Sequence, residues 1–350
     1  MISKKAGVSP VILILGVFFL APIVLYGATP EAELKKLHEA AKAEKEVIWQ
    51  FSGALKDVKP VIDGFQKKYP DIKLSTISIG AATIGGRIII EANAGRLTVD
   101  VGTSFPVYML PVLERDLLLR YNWAPLGVDP KRVLFDGRFI PFSDSARVWA
   151  YNTKLVGKAE APKTMEDTLS PKWKGGKIAV RAAPTGFNWL YPVWKQNKQK
   201  ATDYLNRLEK QDVIPGKRDA EVANQVASGE YPIGVLSLTS VIPALEKRAP
   251  LALCPIGPTA SDLNGFWIPK GTPHPNAAKL MVAWLASPEG TKALIKSGRG
   301  LSYPPDASPA AKLLADNGIG FVPIQSAEDL REYSGPFNDA VMKIMRFVPE

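Results

Sequence analysis

Apolar positions along this chain alternate between helical spacing and short dense runs, and the alternation outlines the fold. In residues 30–45, Leu34, Leu37 and Ala41 share one face of a predicted helix. Val-Ile-Trp-Gln-Phe at 47–51 then reads as a strand closed by Ser52 and Gly53. A second helix over 60–69 turns Val61, Ile62 and Phe65 inward, and an alternating strand over 72–77 runs toward Gly80. Strand, helix and strand in that order imply parallel pairing. A third helix over 83–94 ends where Gly95 can take a positive φ, and 99–102 is the next short strand.

The stretch 140–156, Ile-Pro-Phe-Ser-Asp-Ser-Ala-Arg-Val-Trp-Ala-Tyr-Asn-Thr-Lys-Leu-Val, divides the pattern in two. Small and polar residues at 143–146 predict a turn, and Val148, Trp149 and Tyr151 suit a strand. Beyond it, a turn at Gly175-Gly176 leads into a strand over 178–180; its Gly-Lys pair lacks the Ser or Thr of a phosphate loop, because Ile178 follows. Helices are predicted at 187–196, 201–211 and 220–228, and a buried strand at 233–236. A helix at 275–286 follows, then another that Ser287 caps and Pro288 starts.

A length of 350 residues exceeds the usual single core and predicts two lobes. Lys and Arg exceed Asp and Glu by ten, but the surplus is scattered, and even Lys195 to Lys200 reads as a solvated helix face. No nucleic-acid partner is expected. The single cysteine, Cys254, reads as a small buried hydrophobe, and His38 and His274 are too few for a zinc site and are expected at the surface. Lys4 and Lys5, an apolar run over 8–26 and then Gly27-Ala28 have the order of a secretory signal occupying 1–28, with an uncleaved membrane anchor as the alternative.

Several stretches together resemble one family. Arg-Ile-Ile-Ile-Glu-Ala-Asn-Ala-Gly-Arg-Leu-Thr-Val-Asp-Val at 87–101, Tyr-Asn-Thr-Lys-Leu at 151–155, Pro-Lys-Trp-Lys-Gly-Gly-Lys-Ile-Ala-Val at 171–180 and Leu-Asn-Gly-Phe-Trp-Ile-Pro-Lys-Gly at 263–271 resemble the periplasmic solute-binding proteins of bacterial ABC importers, the ferric-ion-binding branch in particular. The resemblance implies an α/β, two-lobed periplasmic-binding-protein fold of type 2, each lobe a mixed, mostly parallel sheet flanked by helices and joined by crossover strands. Lobe one is expected over 29–146 plus 264–310, and lobe two over 147–263 plus 311–350. It further implies a monomer in the periplasm that captures a small solute and delivers it to a membrane permease, with no cofactor.

Ligands of open α/β sheets sit outside the carboxyl ends of the strands. That rule selects Ser52 and Gly53, Thr83, Thr103 and Ser104 in lobe one, and Thr185, Gly186, Asn188, Ser237, Thr239 and Ser240 in lobe two. Backbone amides at a helix start over 184–188 would favour an anionic group. Arg147 would either fork onto a carboxylate or phosphate or hold backbone carbonyls at the seam. The aromatic cluster Phe187, Trp189, Tyr191 and Trp194 fits a core better than a ligand platform. In the ferric-binding proteins a pair of adjacent tyrosines holds the iron; the matching positions here are Thr239 and Ser240, whose neutral hydroxyls suit a hard trivalent cation poorly. Positions of the companion anion match Ser143, Ser145, 185–188 and Ser237, so an organic or phosphorylated anion is expected and no protein-held metal. A ferric chelate, and a membrane-tethered sensor of the same fold, are the alternatives. Missing Gly-x-Ser-x-Gly and His-Glu-x-x-His patterns argue against an enzyme.

Overall fold

The computed structural model describes residues 29–52, 55–304 and 307–347; the expected signal segment and Gly53 lie outside them. The first part of the chain contains α1 (Pro30–Glu44), β1 (Glu46–Phe51), α2 (Lys59–Lys68), β2 (Lys73–Ser78), α3 (Ala81–Asn93), β3 (Gly102–Ser104), α4 (Pro106–Glu114) and β4 (Ile140–Asp144). Thr29 and Pro30 start α1, the threonine hydroxyl accepting from the Ala32 amide. Strands β1 and β2 pair in parallel, Trp49 opposite Thr76, and Trp49 also bridges Val101 in parallel just before β3. The strand expected over 99–102 therefore begins later, because 99–101 make only that single bridge.

The middle of the chain carries β5 (Arg147–Asn152), β6 (Ile178–Arg181), α5 (Tyr191–Gln196), α6 (Lys198–Glu209), β7 (Ile214–Gly216), α7 (Asp219–Ser228), β8 (Ile233–Ser237), α8 (Leu238–Glu246), β9 (Leu251–Leu253) and β10 (Thr259–Trp267). Five of these strands form one sheet in the order β7-β6-β8-β5-β9. After β10 come α9 (Pro275–Ala286), α10 (Pro288–Lys296), α11 (Pro309–Asp316), β11 (Phe321–Ile324), α12 (Ala327–Glu332) and α13 (Asn338–Met345). Ser287 caps α10 as its sequence predicts, accepting from the Gly290 amide.

Strand β10 ties the two parts together. Its residues 259–262 pair in parallel with β11, and from Leu263 onward it pairs antiparallel with β4 and β3. It starts four residues before the stretch 263–271 that resembles a return crossover, and its first residues include Thr259 and Ser261, polar yet buried. The other crossing is made by β4 and β5, which belong to different sheets. Ser143 and Asp144, expected in a turn, complete β4, and only Ser145 and Ala146 interrupt the strands.

Buried apolar side chains divide in the same way. One group of clusters draws on residues 37–142 and 266–294, the other on 146–260 and 314–345. Phe187, Trp189, Tyr191 and Trp194 all lie in the second core, which settles them as packing residues. Cys254 is buried there, and burial pushes its thiol up to about 12. Neither histidine is fully at the surface: His38 lies over Tyr69, and His274 Nδ1 sits 2.9 Å from the wholly buried Asp100 carboxylate.

Strand polarity then decides where a site can form. The parallel β1 and β2, and β3 and β4, both antiparallel to β10, bring Ser52, Ser78, Ser104 and Asp144 to carboxyl ends. In the five-stranded sheet β6, β7 and β8 are parallel, and Arg147 at the start of the opposed β5 pairs with Ser237 at the end of β8. Passing from Asp144 to Arg147 therefore sets the carboxyl edge of one sheet beside that of the other.

Two glycines test this packing. A Cβ on Gly265, at the register shift of β10, would lie 2.1 Å from Phe139 Cε1 and 2.8 Å from the Ile140 carbonyl, whereas one on Gly86 in α3 meets nothing within 4 Å. Gly265→Ala should lower stability by about 1–3 kcal/mol, and Gly86→Ala should raise it by about 0.5–1 kcal/mol; opposite shifts of the urea midpoint are the check.

Candidate functional site

Arg147 lies 2% exposed at the seam. Its Nη2 donates to both carboxylate oxygens of Asp219, at 3.0 and 2.9 Å, and Nη1 donates to the Ser145 carbonyl at 3.1 Å. Asp219 starts α7, and the same carboxylate takes Arg181 Nη1 at 3.1 Å. The structural reading of Arg147 is the one the geometry supports: its fork closes on Asp219 of the chain itself, and it holds a backbone carbonyl, which leaves it engaged away from a ligand. Asn188 Nδ2 also donates to that carbonyl at 3.0 Å. From β10, Ser261 Oγ accepts from the Ser145 amide and Thr259 Oγ1 donates to the Arg147 carbonyl, so two crossing segments are stitched side by side. Asn188 Oδ1 and Arg181 Nε are buried without a hydrogen-bond partner among the described residues, and each is a polar group that a ligand or water would satisfy.

Beside this knot lies a cavity of about 330 Å³, bounded by Leu238, Thr239, Ile242 and Pro243 of α8, by Ile295 and Arg299 at the end of α10, and by Asp144 and Ser302 between them. Asp144 Oδ1 accepts from the Ala146 amide and the Ser302 hydroxyl, and Oδ2 from the Ser302 amide at 2.6 Å. Burial nevertheless pushes Asp144 up to about 6, and it pushes Asp262, one residue before Asp144's partner in the ladder, up to about 7. Arg299 is half-buried, donates to the Ser52 carbonyl at 3.4 Å, and has no carboxylate within 4.0 Å among the described residues. Burial holds its pKa below the usual range, while the Asp57 carboxylate acts against the shift.

The remaining expected residues distribute around this centre. Ser237 and Thr239 share a hydroxyl contact of 2.8 Å at the start of α8; a helix stands there in place of the expected loop, with Ser240 half-buried in its first turn. Thr185, Gly186 and Asn188 fall in a 3₁₀ turn, Pro184–Leu190, rather than at the start of a long helix. Gly186 is required by close approach, since a Cβ would lie 2.4 Å from the Arg181 carbonyl. Ser143 is buried in β4 next to Asp144. Thr103 and Ser104 are engaged by the Gln50 and Ala81 carbonyls, and Thr83, in the first turn of α3, donates its hydroxyl to the Gly80 carbonyl while its side chain is exposed. Ser52 reaches the cavity wall only through its carbonyl on Arg299, and Gly53 lies outside the described residues. Arg181, Asp144, Arg299 and Ser302 were not among the expected residues. The carboxyl-end rule could have named Arg181 and Asp144; nothing local distinguishes Arg299 or Ser302.

Comparison with known proteins fits this architecture. Residues 51–292 match the model of the bacterial extracellular solute-binding protein family. This chain belongs to that family. A Fe(3+)-binding periplasmic protein of Serratia marcescens is 25% identical over 202 residues, 57% of this chain and 58% of that protein, so the match spans little more than half of the relative. An uncharacterized protein of Haemophilus influenzae is 34% identical over 253 residues, 68% of this chain and 71% of that one. Among solved structures, iron-bound HitA from Pseudomonas aeruginosa superimposes with a TM-score of 0.68 at 20% identity, covering 85% of this chain and 99% of HitA. The periplasmic binding protein AfuA from Actinobacillus pleuropneumoniae, with fructose-6-phosphate bound, does so with 0.60 at 22% identity, covering 86% and 96%. These likenesses establish the two-lobed α/β fold of periplasmic binding proteins. In this solute-binding protein no group of three or more His, Cys, Asp or Glu side chains among the described residues could hold a metal, and no described helix is long and apolar enough to cross a membrane.

Two outcomes test the seam. Asp219→Ala leaves the Arg147 cation buried without its partner and should cost about 3–5 kcal/mol, read from chemical denaturation. Asp144 and Asp262 have folded pKa values above the ordinary 3.8, so the folded state holds protons that the unfolded chain has released. Their contribution is complete below about pH 4 and is lost as pH rises through about 6 and 7. The Tm should therefore fall from pH 5 to 8, and Asp262→Asn should make that fall shallower.

Proposed function

We propose that this solute-binding protein captures a small organic or phosphorylated anion between its lobes and delivers it to the membrane permease of an ABC importer. The observation that carries the anion is Arg299: a half-buried guanidinium with no carboxylate within 4.0 Å among the described residues, on the wall of a cavity shared by α8 and α10. An anionic oxygen would satisfy it bidentately. Arg181, whose Nη1 is held by Asp219 and whose buried Nε has no hydrogen-bond partner among the described residues, is a second guanidinium at a strand carboxyl end of the other sheet.

Closure requires differential contact. A ligand that switches the population from one part in a hundred to the reverse must favour the closed state by about 5.5 kcal/mol, so it has to touch both lobes. Arg299 belongs to the lobe proposed at 29–146 plus 264–310, and Thr239 to that at 147–263 plus 311–350; one anion between them meets the requirement. Thr239 and Ser240 offer it neutral hydroxyls where the ferric-binding branch carries tyrosines, which supports an organic anion over bare iron. Export by the segment 1–28 would place the protein in the periplasm, with its permease in the adjoining membrane.

Native mass spectrometry of protein taken gently from the periplasm identifies the solute, and calorimetry with that solute tests the site. Arg299→Ala should weaken binding about tenfold or more, and Thr239→Ala with Ser240→Ala should weaken it several-fold. Iron alone as the released mass, or unchanged affinity in both variants, would overturn the reading.

A further inference from the structure

The same cavity contains a carboxylate as well as a guanidinium, an odd wall for an anion. Asp144 is 7% exposed and has no lysine, arginine or histidine nitrogen within 4.0 Å among the described residues; Arg147, three positions on, is engaged by Asp219. Oδ1 takes two donors, whereas among the described residues Oδ2 takes only the Ser302 amide, which leaves it a lone pair. A buried carboxylate without a cation depends on donors, and an incomplete set is costly. An anionic group placed against it would be repelled. A hydroxyl placed against it would complete its shell while the anionic group of the same molecule reached Arg299. Between these polar ends Leu238 and Ile242 supply an apolar wall for a short carbon skeleton, and about 330 Å³ lies at the small end of ligand pockets.

We infer that Asp144 reads a hydroxyl on the solute, so that the cavity selects a small hydroxylated anion, a polyol phosphate or a hydroxy acid, over the same anion without its hydroxyls. This rests on the anion reading above and sharpens it. Asp144 belongs to β4, and its partner Ser302 to the segment that follows α10, so the hydroxyl would bind where two passages of the chain already meet.

Matched pairs give the test: glycerol 3-phosphate against propyl phosphate, and glycerate against propionate, titrated calorimetrically into the wild-type protein, Asp144→Asn and Arg299→Ala, with inorganic phosphate as the unhydroxylated reference. The wild type should prefer the hydroxylated member of at least one pair about tenfold or more, and the pair that discriminates tells polyol phosphate from hydroxy acid. In Asp144→Asn the preference should drop below about threefold with the unhydroxylated member bound as before, and in Arg299→Ala both members should weaken together. Equal affinities within both pairs of the wild type, or a preference that survives in Asp144→Asn, would overturn the inference. Binding of propyl phosphate or phosphate that depends on Arg299 without any preference would leave the anion reading standing and this inference refuted. No binding of any probe would refute both.

Discussion

A guanidinium that is 2% exposed holds the place where the chain leaves one sheet for the other. Arg147 is the first residue of β5, and to bury its charge there the protein must supply a carboxylate and carbonyl acceptors at fixed positions. Asp219 supplies the first from the start of α7, and Ser145 the second from the break between the strands. This pairing joins the seam to a helix more than seventy residues further along, and through Asp219 to Arg181 on β6. The value of such a pair lies in geometry more than in net stability, because desolvating both charges offsets much of their attraction.

Around that knot the two crossings differ in kind. Strand β10 is continuous and pairs with β11 in one half and with β3 and β4 in the other. The β4 to β5 passage is broken at Ser145 and Ala146, and its exposed backbone groups are met by Ser261, Asn188 and Arg147 itself. The ladder between β10 and β4 ends at Asp144, and beyond it the passages are linked by the side chains of Ser261 and Thr259.

The cavity inherits its chemistry from this construction. Because β4 ends at Asp144 and α8 starts after Ser237, a carboxylate and the Thr239 hydroxyl border the space that Arg299, just past α10, also borders. Donors and acceptors on rigid strand and helix ends come from different parts of the chain, and only closure of the fold gathers them. Asn188 Oδ1 and Arg181 Nε are likewise buried with no hydrogen-bond partner among the described residues.

Much of the architecture was legible in local pattern. Apolar periodicity located α1, α2, β1, β2 and α9 to within a residue or two, and Ser287-Pro288 marked the start of α10, because capping and one-sided burial act over a few residues. Where burial was two-sided or polar the pattern failed: Thr259 and Ser261 begin a buried strand, and Ser237 to Ser240 lead into a helix that looked like a loop. The sequence by itself determined the class of fold and the family. Only the tertiary structure decided that Arg147 answers Asp219 while Arg299 has no such partner among the described residues, and that Asp144 and Ser302 meet across 158 positions. The reason is physical: a charge's partner is set by proximity in space, and nothing in the spacing of these residues along the chain encodes it.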